Sequence, residues 1–225
     1  TPLRNFSTDQ VGGLDTAQIG SLTTLQVRAL STEQLASLST DRLNALTSAQ
    51  FAALSTTQIK ALSTEQVSAL ESDDLRAIGT AGIRVFGSEQ IAALSTDSIV
   101  AITTMQAATL TSAQITGLGT DKIAALATDD LRALSITALR ALSTEQVAAI
   151  ATDDLRAIGS TALRGLSSEQ IAALGTDQVT GFTTSQLGAL TSTQVVGFST
   201  DALQALSTDQ WRSISSSFIG ALSSD

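Results

Sequence analysis

The sequence predicts an all-α fold: a solenoid, or superhelix, of very short helices, one per eight-residue repeat, turning once in about 3.5 repeats. Three observations lead there. An octad runs without insertion or deletion from the N-terminus to Leu222, with two large apolar residues at fixed places. Each octad opens on a helix-start signal. Acidic residues then recur with a second, longer period of about 3.5 octads. The octad positions are lettered a to h, with a at Ser7 and h at Leu14.

Position h is apolar in all twenty-eight copies, counting the partial first one, and is most often Leu. Position e is Ile, Val, Leu or an aromatic in every copy except one, Ala107. Position b is Ser or Thr except at Ile136, position d is Gln in sixteen copies, and position g is nearly always Ala, Gly or Ser, with Val85 the bulkiest departure. A strand needs apolar residues two apart; here they fall three and five apart. A single long helix fails as well. One octad advances it by about 80° beyond two full turns, so neither a coiled-coil seam nor a straight apolar face survives.

One short helix per octad, restarted each time, satisfies the pattern. Ser or Thr at a with Gln at d reads as a capping box, and Asp at d as a weaker version of it. Acids at c and d fall in the first turn, where the helix dipole favours them. Residues e and h lie three apart on one face. Position a is also where the preceding helix stops, and Gly79, Gly87, Gly119, Gly159 and Gly175 suit both a C-terminal stop and an N-cap. Helices this short are unstable alone, so each octad must bury e and h against its neighbours. Small residues at g let successive helices approach closely.

Taken in order, residues 1–6 already fit the frame, with Leu3 at e, Phe6 at h and Pro2 in a first turn that tolerates it. Octads are regular from Ser7 to Leu70. A variant pair, E-S-D-D-L-R-A-I and G-T-A-G-I-R-V-F, follows at Glu71–Phe86, and similar pairs recur at Ala127–Leu142 and Ala151–Leu166. Their acids and arginines sit three apart, as Asp73 with Arg76, Asp129 with Arg132 and Asp153 with Arg156, which suits surface ion pairs. Trp211 and Phe218 read as an enlarged plug at the C-terminal end.

Apart from Asp9, the acids at c come as adjacent octad pairs: 33/41, 65/73, 89/97, 121/129, 145/153, 169/177 and 201/209. Successive pairs start either three or four octads apart. The c positions between them include Ala17, Leu25, Ala49, Met105 and Ala113. This is the logic of an amphipathic helix one level up: one side of the solenoid is acidic, and the other carries small or apolar residues. That second side is a candidate association stripe, formed by those five residues, through which two copies could pack.

Composition narrows the function. The 225 residues carry a formal charge of −9, with no Cys and no His. Zinc and haem lack their usual ligands, and a Ser nucleophile lacks a His base. Carboxylate pairs such as Asp73/Asp74 sit in repeated solvated positions. No phosphate loop, calcium loop or basic–aromatic patch is present. The sequence therefore predicts no enzyme, no cofactor and no metal. The acidic balance argues against nucleic acid, and the lack of a long apolar run argues against membrane insertion. The chain does not begin with Met, and it reads as one continuous array, 1–225, belonging to a longer protein.

Segments such as Ala93-Leu94-Ser95-Thr96-Asp97 resemble the tandem octapeptide stretches, of the type A-L-[ST]-T-x-Q-[IV]-x, of large bacterial repeat proteins. The resemblance spans Thr8 to Leu222. It implies a structural module of a secreted or surface protein, with no site residues to carry over. The partner is then a second copy, as a dimer or filament, or another protein. The alternative is a binding surface made by the hydroxyl ladder of Thr8, Thr16, Thr24, Thr32 and Thr40, directed at ice or a polysaccharide.

Overall fold

The computed structural model describes residues 2–222. After a 3-10 turn at Pro2–Asn5, each octad from Ser7 to Leu222 contributes one α-helix of four to seven residues, from Thr8–Gly12 to Ser216–Ile219. Among the described residues there is no strand. The chain forms two compact units, Thr1–Thr109 and Leu110–Asp225, and the same construction holds inside each.

The octad 55–62 shows how the residues dictate the element. The Ser55 hydroxyl accepts a hydrogen bond from the Gln58 N–H at 3.2 Å, and Gln58 Oε1 accepts from the Ser55 N–H at 2.9 Å. This capping box satisfies two amides that a helix start leaves without partners. The helix Thr56–Lys60 then ends within a turn, and the Leu62 N–H closes on the Ile59 carbonyl at 3.2 Å. Extended backbone at Ser63 (ψ 160°) starts the next octad.

Packing sets the turn. In the first unit the helix Thr24–Ala29 packs on Ser48–Ala53, Thr56–Lys60 on Gly79–Val85, and Thr64–Ser68 on Ser88–Ala93. In the second unit Thr128–Ala133 packs on Thr152–Ala157, and Thr176–Thr180 on Thr200–Ala205. Each contact joins octads three apart. Side-chain amides join octads four apart: Gln58 Nε2 donates to the Val27 and Leu30 carbonyls, 31 and 28 residues earlier, at 2.9 and 3.0 Å. A helix that rests on its neighbours three and four octads away sits in a superhelix of about 3.5 octads per turn, the value expected from the acidic period.

The core is the e and h residues. Every e residue from Val11 to Val195 is buried, as is every h residue from Leu30 to Ile214. The exceptions fall at opposite ends. Phe6, Leu14 and Leu22 at h are half-buried or exposed at the N-terminal end, and Leu203, Trp211 and Ile219 at e are so at the C-terminal end, where the last h residue, Leu222, is half-buried as well. The e face is therefore covered by later octads and the h face by earlier ones. Small g residues do permit close approach: a Cβ on Gly197 would lie 2.5 Å from the Ser168 carbonyl oxygen.

Four sequence expectations need correction. Asp at d does not complete a capping box. Glu71, Ala127 and Ala151, the N-caps of the three Asp-Asp octads, make no side-chain cap, Ala having no acceptor to offer, and the shorter carboxylates of Asp74 and Asp154 accept from the Ser48 and Thr128 hydroxyls 26 residues earlier. The glycines at a are not equivalent. Gly79 has φ +66° and ends the preceding helix in the left-handed region, whereas Gly87, Gly119, Gly159 and Gly175 are extended N-caps with φ between −61° and −73°. Of the three expected ion pairs, Asp73–Arg76 closes at 3.1 Å. The other two do not; Asp209–Arg212 does, at 3.3 Å. Phe218 is buried, stacked at a tilt on Phe198 with ring centroids 5.9 Å apart. Trp211 stays 36% exposed, because no described octad covers its face.

Candidate interaction surface

Three kinds of side chain tie turn to turn, and they leave position c free to face outward. Gln at d is the most regular. Its Oε1 completes the cap and its Nε2 bridges to the octad four back: Gln66 to Leu35 and Leu38 (3.1 and 2.8 Å), Gln146 to Ile115 and Leu118 (2.9 and 2.6 Å), Gln186 to Leu155 and Ile158 (2.8 Å each). The h residue at a helix end is extended (Leu30 ψ 139°), which turns its carbonyl out of its own helix. The amide meets it with every polar atom used, so a buried polar side chain leaves nothing unpaired. Arg42, the one arginine at d, does the same job through Nε to the Leu14 carbonyl at 2.7 Å.

Position f reaches the other way. Asn44, Arg76 and Arg140 donate to the carbonyls of Ala69, Ala101 and Gly165, each 25 residues ahead, at 2.7 to 2.9 Å. Position b is in part consumed internally as well. Beyond the hydroxyls of Ser48 and Thr128, Ser112 donates to the Thr137 carbonyl at 3.0 Å. In the proposed hydroxyl ladder, Thr8, Thr16 and Thr24 are exposed while Thr32 and Thr40 are half-buried.

The five residues of the candidate stripe, Ala17, Leu25, Ala49, Met105 and Ala113, are all exposed. Leu25 and Met105 are 72% and 74% exposed, more than any other large apolar side chain among the described residues. The helices bearing Leu25 and Ala49 are in contact, and so are those bearing Met105 and the exposed Ala81. Asp73 stands on a helix packed against that of Ala49 and interrupts the run. Ala113 belongs to the second unit. Its helix packs on Ile136–Arg140, which begins with the 40% exposed Ile136. The candidate stripe is thus broken into local pairs, Leu25/Ala49 and Ala81/Met105 in the first unit and Ala113/Ile136 in the second, and Ala81 and Ile136 are exposed neighbours that the sequence reading did not name. Ala81 was legible from the acid-free c of its octad; Ile136 was noticed only as an exception at b.

The acidic c residues are exposed. The carboxyls of Glu33, Glu145 and Glu169 are held below the usual range, first by their own backbone N–H and then by the neighbouring hydroxyls of Ser31, Ser143 and Ser167. Asp74 is shifted the opposite way: burial pushes its carboxyl up, with Glu71 and Asp73 adding to the effect and the Ser48 hydroxyl opposing it. Among the described residues no cluster of acids could hold a metal ion, and no helix is long and apolar enough to cross a membrane.

With the octad, its capping box and its spacing in place, the comparison with known families is decisive. The ALTTAQ repeat matches residues 24–56, 48–73, 67–104, 123–153 and 147–184, more than half of the chain. The chain belongs to the ALTTAQ repeat family. No curated protein matches it. The letters of the ALTTAQ repeat fall on the observed framework as g, h, a, b, c and d: a small residue, the core Leu, the N-cap, the first-turn hydroxyl, the outward position and the bridging Gln. In this ALTTAQ chain the Gln is the letter that holds one turn on another, and c is the letter left to vary.

Proposed function

We propose that this ALTTAQ array is a non-enzymatic structural module: a spacer or stalk segment of a larger bacterial surface or secreted protein that associates with a second copy through its acid-free c positions. The observation that carries the proposal is the exposure of Leu25 and Met105 at positions that hold Asp or Glu elsewhere. Backbone polar groups are taken up by caps and turn-to-turn bonds, so what the array offers a partner is side chains at c. An apolar patch flanked by acids is the usual mark of an interaction surface.

The test is to place Asp at Leu25, Ala49, Met105 and Ala113 together. First-turn acids suit these helices, so the helical circular dichroism spectrum of the variant stays that of the parent. Like charges then face each other across the contact, and light scattering shows the variant falling to a monomer at concentrations where the parent is larger. A parent that is larger than a monomer and is unchanged by the four acids removes the stripe as the contact.

A further inference from the structure

Two arginines of the second unit share a groove that no carboxylate lines. Arg140 and Arg164 stand at f of octads three apart, S-I-T-A-L-R-A-L and G-S-T-A-L-R-G-L, which carry Thr137 and Thr161 at c and no acid at any position. The Arg140 Nε–H donates to the Gly165 carbonyl at 2.9 Å, so its guanidinium is held beside the residue next to Arg164. Gly165 permits the approach: a Cβ there would lie 2.6 Å from Ile136 Cγ2, in the octad that carries Arg140. Both arginines line an open groove of about 580 Å³, with Ser168 and Thr193 also on its walls. Among the described residues no Asp or Glu lines it.

Other octads show what is particular to this place. Arg76 makes the same bond, from Nε to the Ala101 carbonyl at 2.8 Å, but its Nη1 is taken by Asp73 at 3.1 Å, and Val100 stands where the second cation would. In the groove at Arg156 the f residue three octads on is Thr180. The first unit holds a counterpart ten octads earlier, with Lys60 and Arg84 at the two f positions. There Val85 stands in place of Gly165, and the groove, about 360 Å³, is lined by Lys60 and Glu89 without Arg84. Of these grooves, the one at Arg140 alone combines two guanidiniums with no carboxylate.

We propose that the Arg140–Arg164 groove binds a tetrahedral oxyanion, the sulfate or phosphate group of an ester. A guanidinium anchored through Nε still has its Nη donors, and such planar forks match the oxygens of sulfate and phosphate. Ser168 and Thr193 supply hydroxyls for the remaining oxygens. Although the chain carries a formal charge of −9, the attraction is local, because neither arginine is neutralised within its own octad. The site goes beyond the structural role and uses none of the five stripe residues.

The full chain, isotopically labelled at its arginine side chains, is titrated by NMR with phenyl phosphate and, separately, with sodium sulfate, while sodium chloride keeps the ionic strength constant. At about pH 7 the phosphate ester is mostly dianionic. The Nε–H signals of Arg140 and Arg164 shift and saturate, and those of Arg76 and Arg84 do not. The anion that saturates at the lower concentration identifies the ester. R164Q removes one cation without touching the Arg140–Gly165 bond and weakens binding about tenfold or more. T137D with T161D sets an acid three residues before each arginine, as Asp73 stands before Arg76. First-turn acids suit these helices, so the melting curve does not drop while saturation is lost. No saturation of the parent by either anion, shifts of equal size at every arginine, or a T137D/T161D chain that binds as the parent does overturns the proposal.

Discussion

At the scale of single residues, the informative choice is Gln at d. A capping box accepts Glu as readily as Gln, yet no octad carries Glu at d. Only the amide has both the acceptor that the cap needs and the donor that the neighbouring turn needs. Asp74 shows the cost of departing from this. Its buried carboxyl stands at the d position of its octad, where glutamines elsewhere donate to the e and h carbonyls of the octad four back, here those of Leu43 and Leu46. Its folded pKa is raised by burial, so over the window between its ordinary and raised values the folded chain holds a proton that the unfolded chain releases. Stability therefore falls as pH rises through that window, and the whole cost is felt at neutral pH. Replacing Asp74 by Gln is expected to stabilise the chain by about 1–2 kcal/mol at pH 7. The gain shrinks as pH falls through that window and is at its smallest below about 4, the ordinary carboxylate value. Urea melts across pH measure it, and a gain independent of pH would show that the carboxylate is not the source. Glu33, Glu145 and Glu169, with lowered values, act with the opposite sign. What they contribute is present above their ordinary pKa and is lost as pH falls through the lowered one.

At the scale of the element, a five-residue helix holds because its ends and its inner face are both satisfied, and the two contributions differ in size. Leu94 at h is 1% exposed, and its removal to Ala leaves a cavity that is expected to cost about 2–5 kcal/mol. Ser95, which caps the next helix by accepting from the Ser98 N–H at 3.0 Å, is expected to cost about 1 kcal/mol on change to Ala. Denaturant melts of the two variants check the ranking; equal losses would mean that e and h are not the main source of stability. Helix placement was legible in the sequence because the cap, the acidic first turn and the apolar spacing agree within every octad. The exceptions were not. Asp and Gln look alike as cap partners on paper, but Asp154 is one methylene shorter and turns to Thr128 instead. Gly79 and Gly87 hold the same letter a, and only the preceding backbone, αR at Ile78 but extended at Phe86 (ψ 136°), decides which of them lies at positive φ. Trp211 was read as a plug from its size, whereas its exposure follows from its place on an e face that no described octad covers.

At the scale of the whole molecule, the longer period of the acids foretold the turn of about 3.5 octads inside each unit, since a residue can stay on the solvent side only by keeping step with the superhelix. The bridging amides were not foreseen, although the same interval of three and a half octads separates most buried glutamines from the h carbonyls they meet, as Gln58 from Leu30. Ala17, Leu25 and Ala49 are exposed in the first unit, and Asp73, on a helix packed against that of Ala49, interrupts the run. The central claim is that buried glutamine amides at d pin their octads to the ones four back. The most direct measurement is the proton environment and exchange rate of the Gln58 side-chain amide in the folded chain by NMR. Slow exchange, with cross-relaxation from the Nε2 protons to Val27 and Leu30, is predicted, against fast exchange at Gln10, whose amide has no such carbonyls. Exchange at Gln58 as fast as at Gln10, with contacts only inside residues 55–62, would contradict the account.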